Sequence, residues 1–394
     1  MKVCGIEIQI SRRVSWIIHP PTDEHERLGN PKEDRYRIAS CTEREDFIIG
    51  PDDLILITGA NGFIGARLVE SLLNLGFRNL RCFARPTKAA NAEAFGCNTR
   101  PAARIELIRG NLLSGEDCAA AAKGVKVIFH LAAARGEKSF PDAFMNSVVT
   151  TRNLLEASLR HKCLKRFVNV SSFTVYTNAQ KPGGRLLDES CPVETHPEYR
   201  GEAYCYAKVK QDEIVKQYGQ SFGIPYVIVR PGYVYGSGKQ AIPSRVGIDT
   251  FGVFLHLGGS NTIPFTYIDN CAEAIALAGL KKEVDGEVFN VVDDDLPSSR
   301  QFLRLYKRNV KNFKSLYVPH AISYAICHLW ERYSSWSEGQ LSPVFNRGRW
   351  HAFWKKTHYS NEKLKKRVGW TPRVRMAEGL NRYFEACRNG KLHA

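Results

Sequence analysis

A glycine-rich turn between a short apolar run and an amphipathic stretch constrains this chain more than any other feature. The run Leu54-Ile-Leu-Ile57 is followed by T-G-A-N-G-F-I-G over residues 58–65 and then by ARLVESLLNLG, whose apolar residues recur at helical spacing. The run predicts a strand buried on both faces, and the stretch predicts a helix. Gly59 permits a tight turn, Gly62 lets the backbone approach a pyrophosphate, and Gly65 lets the helix lie close to the sheet. This unit therefore predicts a dinucleotide site with its phosphates at the helix N-terminus.

The same alternation of apolar strands and helical stretches continues along the chain. The strand candidates are NLRCFAR, ARIELIRG, VKVIFHLAA, RFVNVSS and YVIVRPG. Strands that alternate with helices indicate an α/β fold with a doubly wound parallel sheet. We predict a polar N-terminal extension over residues 1–52, a dinucleotide-binding Rossmann domain over 53–235, and a smaller, irregular substrate lobe over 236–394. Elements of this lobe are expected to interleave with the last part of the sheet.

Tyr204 and Lys208 carry the strongest sign of chemistry. Their Y-x-x-x-K spacing puts a phenol and an ammonium on one face of a helix. A tyrosine with its ordinary pKa of about 10 is a poor base at neutral pH, but a nearby lysine and an oxidised nicotinamide favour the phenolate. Ser172 lies in V-S-S-F-T-V-Y, at the end of a predicted strand. We predict that Tyr204 is the acid/base, that Lys208 supports it, and that Ser172 orients the substrate oxygen.

In this order, the motifs resemble the extended branch of the short-chain dehydrogenase/reductase superfamily, the NAD-dependent epimerase/dehydratase family. The resemblance covers roughly residues 54–386 and includes R-P-G-Y-V-Y-G over 230–236. It implies a hydride transfer between a nicotinamide and a secondary alcohol or ketone, and a homodimer. It also implies that Asn146 supports the proton relay, with Thr150 in the place of a family glycine.

The resemblance places the cofactor along the carboxyl ends of the strands. Beside the three glycines, the implied contacts are Asn61, Phe63, Ile64, Arg85, Asn111, Leu112, Leu131, Ala132, Ala133, Tyr204, Lys208, Pro231, Gly232 and Val234. Ala84 stands where an NAD-preferring member carries an acid for the ribose hydroxyls, and Arg85 can pair with a 2′-phosphate. We therefore predict NADP in preference to NAD.

Two departures from the family pattern bear on the reaction. Phe173 and Thr174, which we expect to contact the substrate, replace the Asp-Glu pair of sugar dehydratases, so dehydration is not expected. Ile263 and Pro264 replace an Arg-Asp pair of many nucleotide-sugar enzymes. We favour a dehydrogenase or reductase resembling the 3β-hydroxysteroid type. The alternatives are a nucleotide-sugar epimerase with tightly held NAD and a non-catalytic cofactor-binding protein.

Basic residues are concentrated in the last quarter of the chain. The net charge is +16, and residues 300–394 hold 20 Lys/Arg against 5 Asp/Glu. Such a segment is typical of a solvated face, and it can also attract a phosphorylated ligand, with Lys239 and Arg245, or an anionic membrane surface. We expect no nucleic-acid partner, because no recognition motif accompanies the charge.

The segment AISYAICHLWERYSSW places several apolar side chains on one helical stripe. They are Ile322, Ala325, Ile326, Leu329, Trp330 and Tyr333. We expect this stripe to pack as a lid over the substrate, with a membrane-surface helix as the alternative. The chain has no apolar run of about 18 residues and no signal-like N-terminus, so a cytoplasmic location is expected. Its 11 scattered cysteines lack zinc-like spacing, and no metal is expected.

Overall fold

The computed structural model describes residues 46–86, 103–134, 139–179, 186–238, 241–250, 252–338, 340–341 and 345–390. Most of the expected N-terminal extension, residues 1–45, lies outside the described residues, as does Lys239.

Strands and helices alternate through the first two thirds of the described chain. The strands are β1 (Ile55–Thr58), β2 (Asn79–Ala84), β3 (Arg104–Arg109), β4 (Val127–His130), β5 (Arg166–Val170), β6 (Leu186–Leu187), β7 (Tyr226–Pro231), β8 (Tyr233–Tyr235), β9 (Gly247–Thr250), β10 (Val253–His256), β11 (Phe265–Tyr267), β12 (Val288–Val291), β13 (Ser315–Tyr317) and β14 (His358–Tyr359). The α-helices are α1 (Phe63–Asn74), α2 (Gly115–Ala122), α3 (Phe140–Ala143), α4 (Thr150–His161), α5 (Ala203–Phe222), α6 (Ile268–Leu280), α7 (Ser299–Asn309), α8 (His320–Trp336), α9 (Arg347–Phe353), α10 (Glu362–Val368) and α11 (Met376–Arg388). A π-helical segment (Phe144–Val149) joins α3 to α4, and 3₁₀ turns cover Phe173–Val175 and Pro197–Arg200.

Seven parallel strands form the central sheet, in the order β12-β7-β5-β4-β1-β2-β3. The predicted doubly wound α/β fold is confirmed, and each of the five predicted strand segments contains a strand of this sheet. The strand order reverses between β1 and β4, which is where doubly wound folds open a crevice for a ligand. Thr58, His130, Val170 and Pro231 end their strands at this same edge.

Both faces of the sheet are covered, which explains the continuous apolar runs in its strands. On one face, Ile55 and Ile57 pack with α1 and α6 through Leu68, Leu72 and Ile275. On the other face, the core includes α2, α4 and α5, with the buried residues Leu56, Ile128, Cys118, Leu154 and Val215. As predicted, α1 stops at a glycine, since Gly76 has a φ of +92° just after the helix.

The core includes residues that precede the predicted boundary at residue 52. Phe47 and Ile49 are buried in the core on the α1 side of the sheet. Phe47 bridges Lys281, and the Ile48 N–H donates to the Leu280 carbonyl over 2.9 Å. These two apolar residues lie in the charged stretch EREDFIIG. The stretch shows no helical or strand periodicity, so the sequence did not indicate that they are buried.

The region over residues 236–394, predicted as a substrate lobe, is interleaved with the sheet, because β12 belongs to the central sheet and α6 packs on it between the irregular segments. The lobe adds a three-stranded sheet of order β13-β10-β9, followed by α8 and α9. The prediction that the apolar stripe of α8 packs as a lid over the substrate is wrong. Ile322, Ile326, Leu329 and Tyr333 are all at least half exposed, and the buried face of α8 is formed by Ser323, Cys327 and Ser334. No helix among the described residues is long and apolar enough to cross a bilayer.

Candidate active site

The glycine turn at the start of α1 has three distinct requirements. Gly59 has a φ of +69°, and a Cβ there would press on the backbone of Leu131 and Ala132. A Cβ on Gly65 would collide with the Gly59 carbonyl, so only glycine lets α1 approach the turn this closely. A Cβ on Gly62 would meet one atom, the Gly59 carbonyl oxygen at 3.1 Å, and otherwise open space. Gly62 therefore faces the crevice, at a helix N-terminus that has no side-chain cap.

The remaining cofactor candidates lie at the same edge of the sheet. Leu131, Ala132 and Ala133 follow β4 and are half-buried beside the turn. The Ala132 N–H donates to the Thr58 hydroxyl over 3.3 Å. Asn61 is exposed, Phe63 and Ile64 are half-buried, and Arg85 is exposed directly after β2.

Five of the cofactor candidates have packing or local hydrogen-bonding roles in the structure. The Leu112 side chain is buried in the same core cluster as Phe83. The Asn111 side chain accepts a hydrogen bond from the Leu113 N–H over 3.0 Å. Pro231 and Val234 are buried, while a Cβ on Gly232 would collide with the Pro264 carbonyl.

Ser172, Tyr204 and Lys208 meet at the carboxyl end of β5. Ser172 begins the 3₁₀ turn, and its hydroxyl is close enough to the Tyr204 phenol to influence the pKa of that phenol. The Lys208 ammonium lies 6.0 Å from the Tyr204 ring centroid. Burial raises the pKa of Tyr204, whereas the nearby Ser172 hydroxyl lowers it. Burial also lowers the pKa of Lys208 to about 8. The three side chains predicted to act together are thus brought together.

A buried chain of hydrogen bonds connects Lys208 to the glycine turn. The ammonium donates to the Val170 carbonyl over 2.7 Å and to Gln211 Oε1 over 2.9 Å. Gln211 Nε2 donates to the Thr151 hydroxyl over 2.8 Å. His130 joins that hydroxyl through Nε2 at 2.9 Å and the Thr58 hydroxyl through Nδ1 at 2.8 Å. The sequence does not indicate this hydrogen-bond network, because its members are scattered over four elements.

The hydrogen-bond donors in this network determine which ring nitrogen of His130 carries the proton. The Thr151 hydroxyl donates its single hydrogen to the Ser147 carbonyl, 2.6 Å away. It can therefore only accept from His130, so Nε2 carries the proton and Nδ1 accepts from Thr58. Burial lowers the pKa of His130 to about 3, which keeps the ring neutral. This hydrogen-bond network therefore holds Lys208 in place, and its histidine does not take up a proton near neutral pH.

Asn146 lies in the π-helical segment, a rare element that is often found at functional sites. Its side-chain amide donates to the Asp142 carbonyl over 2.9 Å. Thr150 fits in place of the family glycine, since its hydroxyl donates back to the Asn146 and Ser147 carbonyls, both 3.1 Å away. The role of Asn146 in proton relay stays a prediction.

Tyr206 and Lys210 have the same spacing as Tyr204 and Lys208, but the structure separates them. The Tyr206 ring packs edge-on against Phe140, with centroids 5.5 Å apart. The partly exposed Lys210 pairs with Glu213 at 2.8 Å. This second pair therefore offers a natural comparison for the first.

A cavity of about 230 Å³ opens beside Tyr204 and Ser172. Its lining includes the expected substrate contacts Phe173 and Thr174 and Tyr233 of the R-P-G-Y-V-Y-G motif, together with residues that the sequence motifs did not mark: Glu202, Ser244, Arg349 and Phe353. Arg245, which the sequence offered as a phosphate contact, also lines it.

The charges around this cavity are unequal in number. Glu202 is held between two cations, with its carboxylate oxygens 2.7 Å from Arg200 Nε and 3.3 Å from Arg349 Nε. Arg245 donates to the Ala352 carbonyl over 2.7 Å and lies 5.2 Å from the Phe353 ring centroid. Burial lowers the pKa of Arg245, and no carboxylate of the described chain lies within salt-bridge distance of it. Arg200 and Arg349 therefore both contact Glu202, whereas Arg245 does not.

The family follows from a comparison with known proteins. The model of the NAD dependent epimerase/dehydratase family matches residues 55–291. The chain belongs to this family. The predicted membership of the extended short-chain dehydrogenase/reductase superfamily is thereby confirmed.

Relatives of this epimerase/dehydratase family member differ in their reactions. An uncharacterized UDP-glucose epimerase, YtcB of Bacillus subtilis, is 32% identical over 60% of this chain and 76% of its own. GDP-mannose 3,5-epimerase of Arabidopsis thaliana is 26% identical over 86% of this chain and 83% of its own. A 3 beta-hydroxysteroid dehydrogenase/Delta 5-->4-isomerase of Mycobacterium tuberculosis is 31% identical over 48% of this chain and 49% of its own. These relatives support the conclusion that this chain is an enzyme.

Solved structures of similar fold cover nearly all of the described chain. UDP-glucuronic acid 4-epimerase from Bacillus cereus, in complex with NAD, has a TM-score of 0.63 and 22% identity over 85% of this chain and 99% of its own. DesIV, a dTDP-glucose 4,6-dehydratase from Streptomyces venezuelae, has a TM-score of 0.62 and 19% identity over 86% of this chain and 98% of its own. At these identities the likeness concerns the Rossmann-type fold.

Proposed function

We propose that this protein epimerises a nucleotide-linked sugar through reversible oxidation of a secondary hydroxyl, with Tyr204 as the acid/base. The observation that carries this proposal is the cationic wall beside Tyr204, where Arg245 and Arg349 line the cavity with Glu202 as its one carboxylate among the described residues. A diphosphate or a sugar carboxylate supplies the missing negative charge. The sequence motifs alone favoured a dehydrogenase or reductase, and the charges of the cavity reverse that order.

The residues around the reacting hydroxyl divide the work. Ser172, whose hydroxyl lies close to the Tyr204 phenol, holds the substrate oxygen next to it. A nicotinamide dinucleotide at the glycine turn would supply the hydride acceptor and donor. Tyr204 would take the hydroxyl proton as the carbonyl forms, and would return a proton to the oxygen when the carbonyl is reduced on its opposite face to give the epimer. No net oxidation remains.

Lys208 makes this proton transfer accessible near neutral pH. Burial raises the pKa of Tyr204, so a phenolate needs a cation beside it. The Lys208 ammonium gives two hydrogen bonds to described residues, to Val170 and Gln211. Its third N–H is available for a ribose hydroxyl of the cofactor, the contact that the family resemblance implies.

Arg245 is the strongest anchor for an anion. A buried guanidinium without a carboxylate gains a charge-assisted hydrogen bond when an anionic ligand arrives. Glu202 partly neutralises Arg349. Glu202 also pairs with Arg200, which is buried. The wall therefore presents a net positive charge to the substrate.

A dehydrogenase or reductase acting on a less polar alcohol is the second candidate. Ile263 and Pro264 stand in place of the family's Arg-Asp pair, and Phe173 and Phe353 give the cavity an apolar side. The relative named as a 3 beta-hydroxysteroid dehydrogenase is in line with this candidate.

For the cofactor we propose NADP in preference to NAD. Ala84 provides no carboxylate for the ribose hydroxyls, and the exposed Arg85 follows it at the end of β2. Titration of the apoprotein with both nucleotides tests this preference. Tighter binding of NADP that falls to the level of NAD in Arg85→Ala supports it, and tighter binding of NAD to the wild-type chain contradicts it.

The reaction is tested by incubating the purified chain with UDP-glucose, UDP-glucuronic acid and GDP-mannose, each with catalytic and with excess nucleotide. Proton NMR detects an epimer, and absorbance of the reduced nicotinamide detects net redox. An epimer without net reduction supports the proposal. Stoichiometric reduction or oxidation of added nucleotide, without an epimer, favours the second candidate.

A further inference from the structure

Helix α8 presents an apolar face to solvent. Ile322 is 53% exposed, Ile326 50%, Leu329 66%, Tyr333 50% and Trp336 77%. We call these five residues the apolar face of α8. Apolar residues scattered singly on a surface are ordinary, but five on one helical stripe indicate a surface that is covered in use.

The opposite face of α8 is firmly held, so the exposure is not caused by a loose helix. Ser323 and Cys327 are buried, and the Trp350 indole N–H of α9 donates to the Ser323 hydroxyl over 2.9 Å. The Tyr324 and Trp350 rings meet edge-on with centroids 5.0 Å apart. Helix α8 is therefore docked to α9 by its small residues and displays its large ones.

Exposed basic side chains precede this face in the chain. Arg300, Arg304 and Arg308 follow one side of α7 at four-residue spacing and are exposed, and Lys311 and Lys314 continue the series toward β13. We call these five residues the basic stripe. Within the described chain, none of them has a carboxylate partner at salt-bridge distance.

The basic stripe and the apolar face belong to adjoining elements. Lys307 of α7 donates to the Ser315 hydroxyl of β13 over 2.6 Å, and Arg300 lies 5.3 Å from the Tyr317 ring centroid. Strand β13 carries the exposed Leu316 and Tyr317 and ends three residues before α8 begins. Cationic side chains of α7 thus meet exposed apolar side chains of β13, the strand that leads directly into α8.

We propose that this surface docks onto an anionic phospholipid bilayer, with α8 lying in the plane of the interface. An apolar helical face with aromatic rings enters the boundary between head groups and acyl chains, while lysine and arginine bind the anionic head groups. Tyr333 and Trp336, stacked with centroids 5.8 Å apart, suit that boundary because their rings are apolar with a polar edge. The proposal does not depend on which reaction the enzyme catalyses.

Charge distinguishes this occupant from a second copy of the chain. In a two-fold dimer formed through α8, the same patch would meet itself, and two basic stripes would be brought toward each other. A bilayer with anionic lipids offers apolar depth and negative charge at once. Only the bilayer satisfies both components of this surface.

Sedimentation of the full-length chain with lipid vesicles tests the proposal. One set of vesicles contains phosphatidylcholine alone, and the other contains roughly 30% phosphatidylserine, which sets a negative surface potential. We expect binding to the anionic vesicles, much weaker binding to the neutral ones, and release at raised salt. Leu329→Gln with Trp336→Gln, and separately Arg304→Gln with Arg308→Gln, should each weaken binding roughly tenfold or more.

Matched controls replace exposed residues elsewhere: Phe222→Gln, at the end of α5 and 57% exposed, and Arg388→Gln, at the end of α11. These should bind vesicles as the wild-type chain does, and thermal melting checks that every variant is folded. Absence of binding to anionic vesicles, or unchanged binding in both α8 and α7 variants, overturns the proposal. So does a dimer in solution that Leu329→Gln with Trp336→Gln converts to a monomer, since a second copy would then cover the face.

Discussion

The ammonium of Lys208 donates a hydrogen bond to the side-chain carbonyl of Gln211, 2.9 Å away and out of contact with solvent. Gln211 is in turn held by Thr151, which binds the neutral His130 next to the glycine turn. The position of the Lys208 ammonium is therefore set by the same buried hydrogen-bond network that reaches the glycine turn. Gln211 acts as a positioning residue, because it touches Lys208 and no reacting atom.

Replacing Gln211 should change the pH dependence of the reaction. The mechanism needs a charged Lys208, whose pKa burial lowers to about 8, so activity should decline as the pH rises through this region. Gln211→Leu removes an acceptor that favours the charged form, lowers the pKa of Lys208 further, and moves the alkaline limb of kcat to lower pH. Gln211→Glu adds a negative charge and moves that limb to higher pH. A purely structural role for Gln211 predicts lower activity with an unmoved limb in both variants, as a full pH profile will show.

The glycine turn predicts opposite effects of two similar substitutions. In Gly62→Ala the new methyl group enters the crevice, so affinity for the nicotinamide nucleotide should fall at least tenfold with little loss of stability. In Gly65→Ala it collides with the turn, which should cost about 1–3 kcal/mol of unfolding free energy. Isothermal titration and urea unfolding of both variants separate the two effects. Equal loss of stability in both would mean that Gly62 is also a packing glycine.

Arg245 is predicted to set affinity for the anionic part of the substrate. Arg245→Met keeps an apolar side chain and removes the guanidinium that lies over the Phe353 ring, a charged hydrogen-bond donor worth about 2 kcal/mol. KM for the nucleotide sugar should rise roughly tenfold or more, with kcat changed much less. Steady-state kinetics measure the two separately, and Arg388→Met at the exposed end of α11 is the control. An unchanged KM in Arg245→Met places the anion elsewhere.

The sheet and the cluster of Ser172, Tyr204 and Lys208 could be predicted from the sequence. The run before Gly59 is continuous and apolar because β1 is buried on both faces, and the Tyr204–Lys208 spacing reflects a single helix. Both signals come from residues that are close in the chain. Ser172 lies 32 positions before Tyr204, and its place was indicated by the end of a predicted strand and by the resemblance to a family.

The cavity wall and the face of α8 could not be predicted because their signals depend on distant contacts. Glu202 and Arg349 are 147 positions apart in the chain, and nothing in either local sequence indicates their ion pair. The stripe on α8 has the periodicity of a core helix, but the small Ser323 and Cys327 pack on α9 instead. Periodicity reports that a helix is amphipathic and does not report which face meets the protein.

The pair Arg230 and Asp212 is predicted to stabilise the fold beneath the site. Both side chains are almost fully buried, with Nη2 and Oδ2 3.0 Å apart, and Asn169 donates to the other carboxylate oxygen over 2.9 Å. Asp212→Asn leaves a buried guanidinium without its counter-charge, which should cost about 3 kcal/mol of unfolding free energy. Urea unfolding measures this, and the exposed neighbour change Glu213→Gln should stay within about 0.5 kcal/mol. Equal stability of the two variants would show that Arg230 is neutralised by another group.

The most direct test of the account is the turnover of Tyr204→Phe beside that of Tyr206→Phe, on whichever nucleotide sugar the wild-type chain converts. Tyr204→Phe keeps the ring and removes the acid/base oxygen, so kcat should fall roughly 10²–10⁴-fold while nucleotide affinity and thermal stability are kept. Tyr206, which has the same spacing to a lysine but packs on Phe140, should tolerate the change with nearly full activity. Wild-type turnover by Tyr204→Phe would contradict the central claim that this phenol moves the proton.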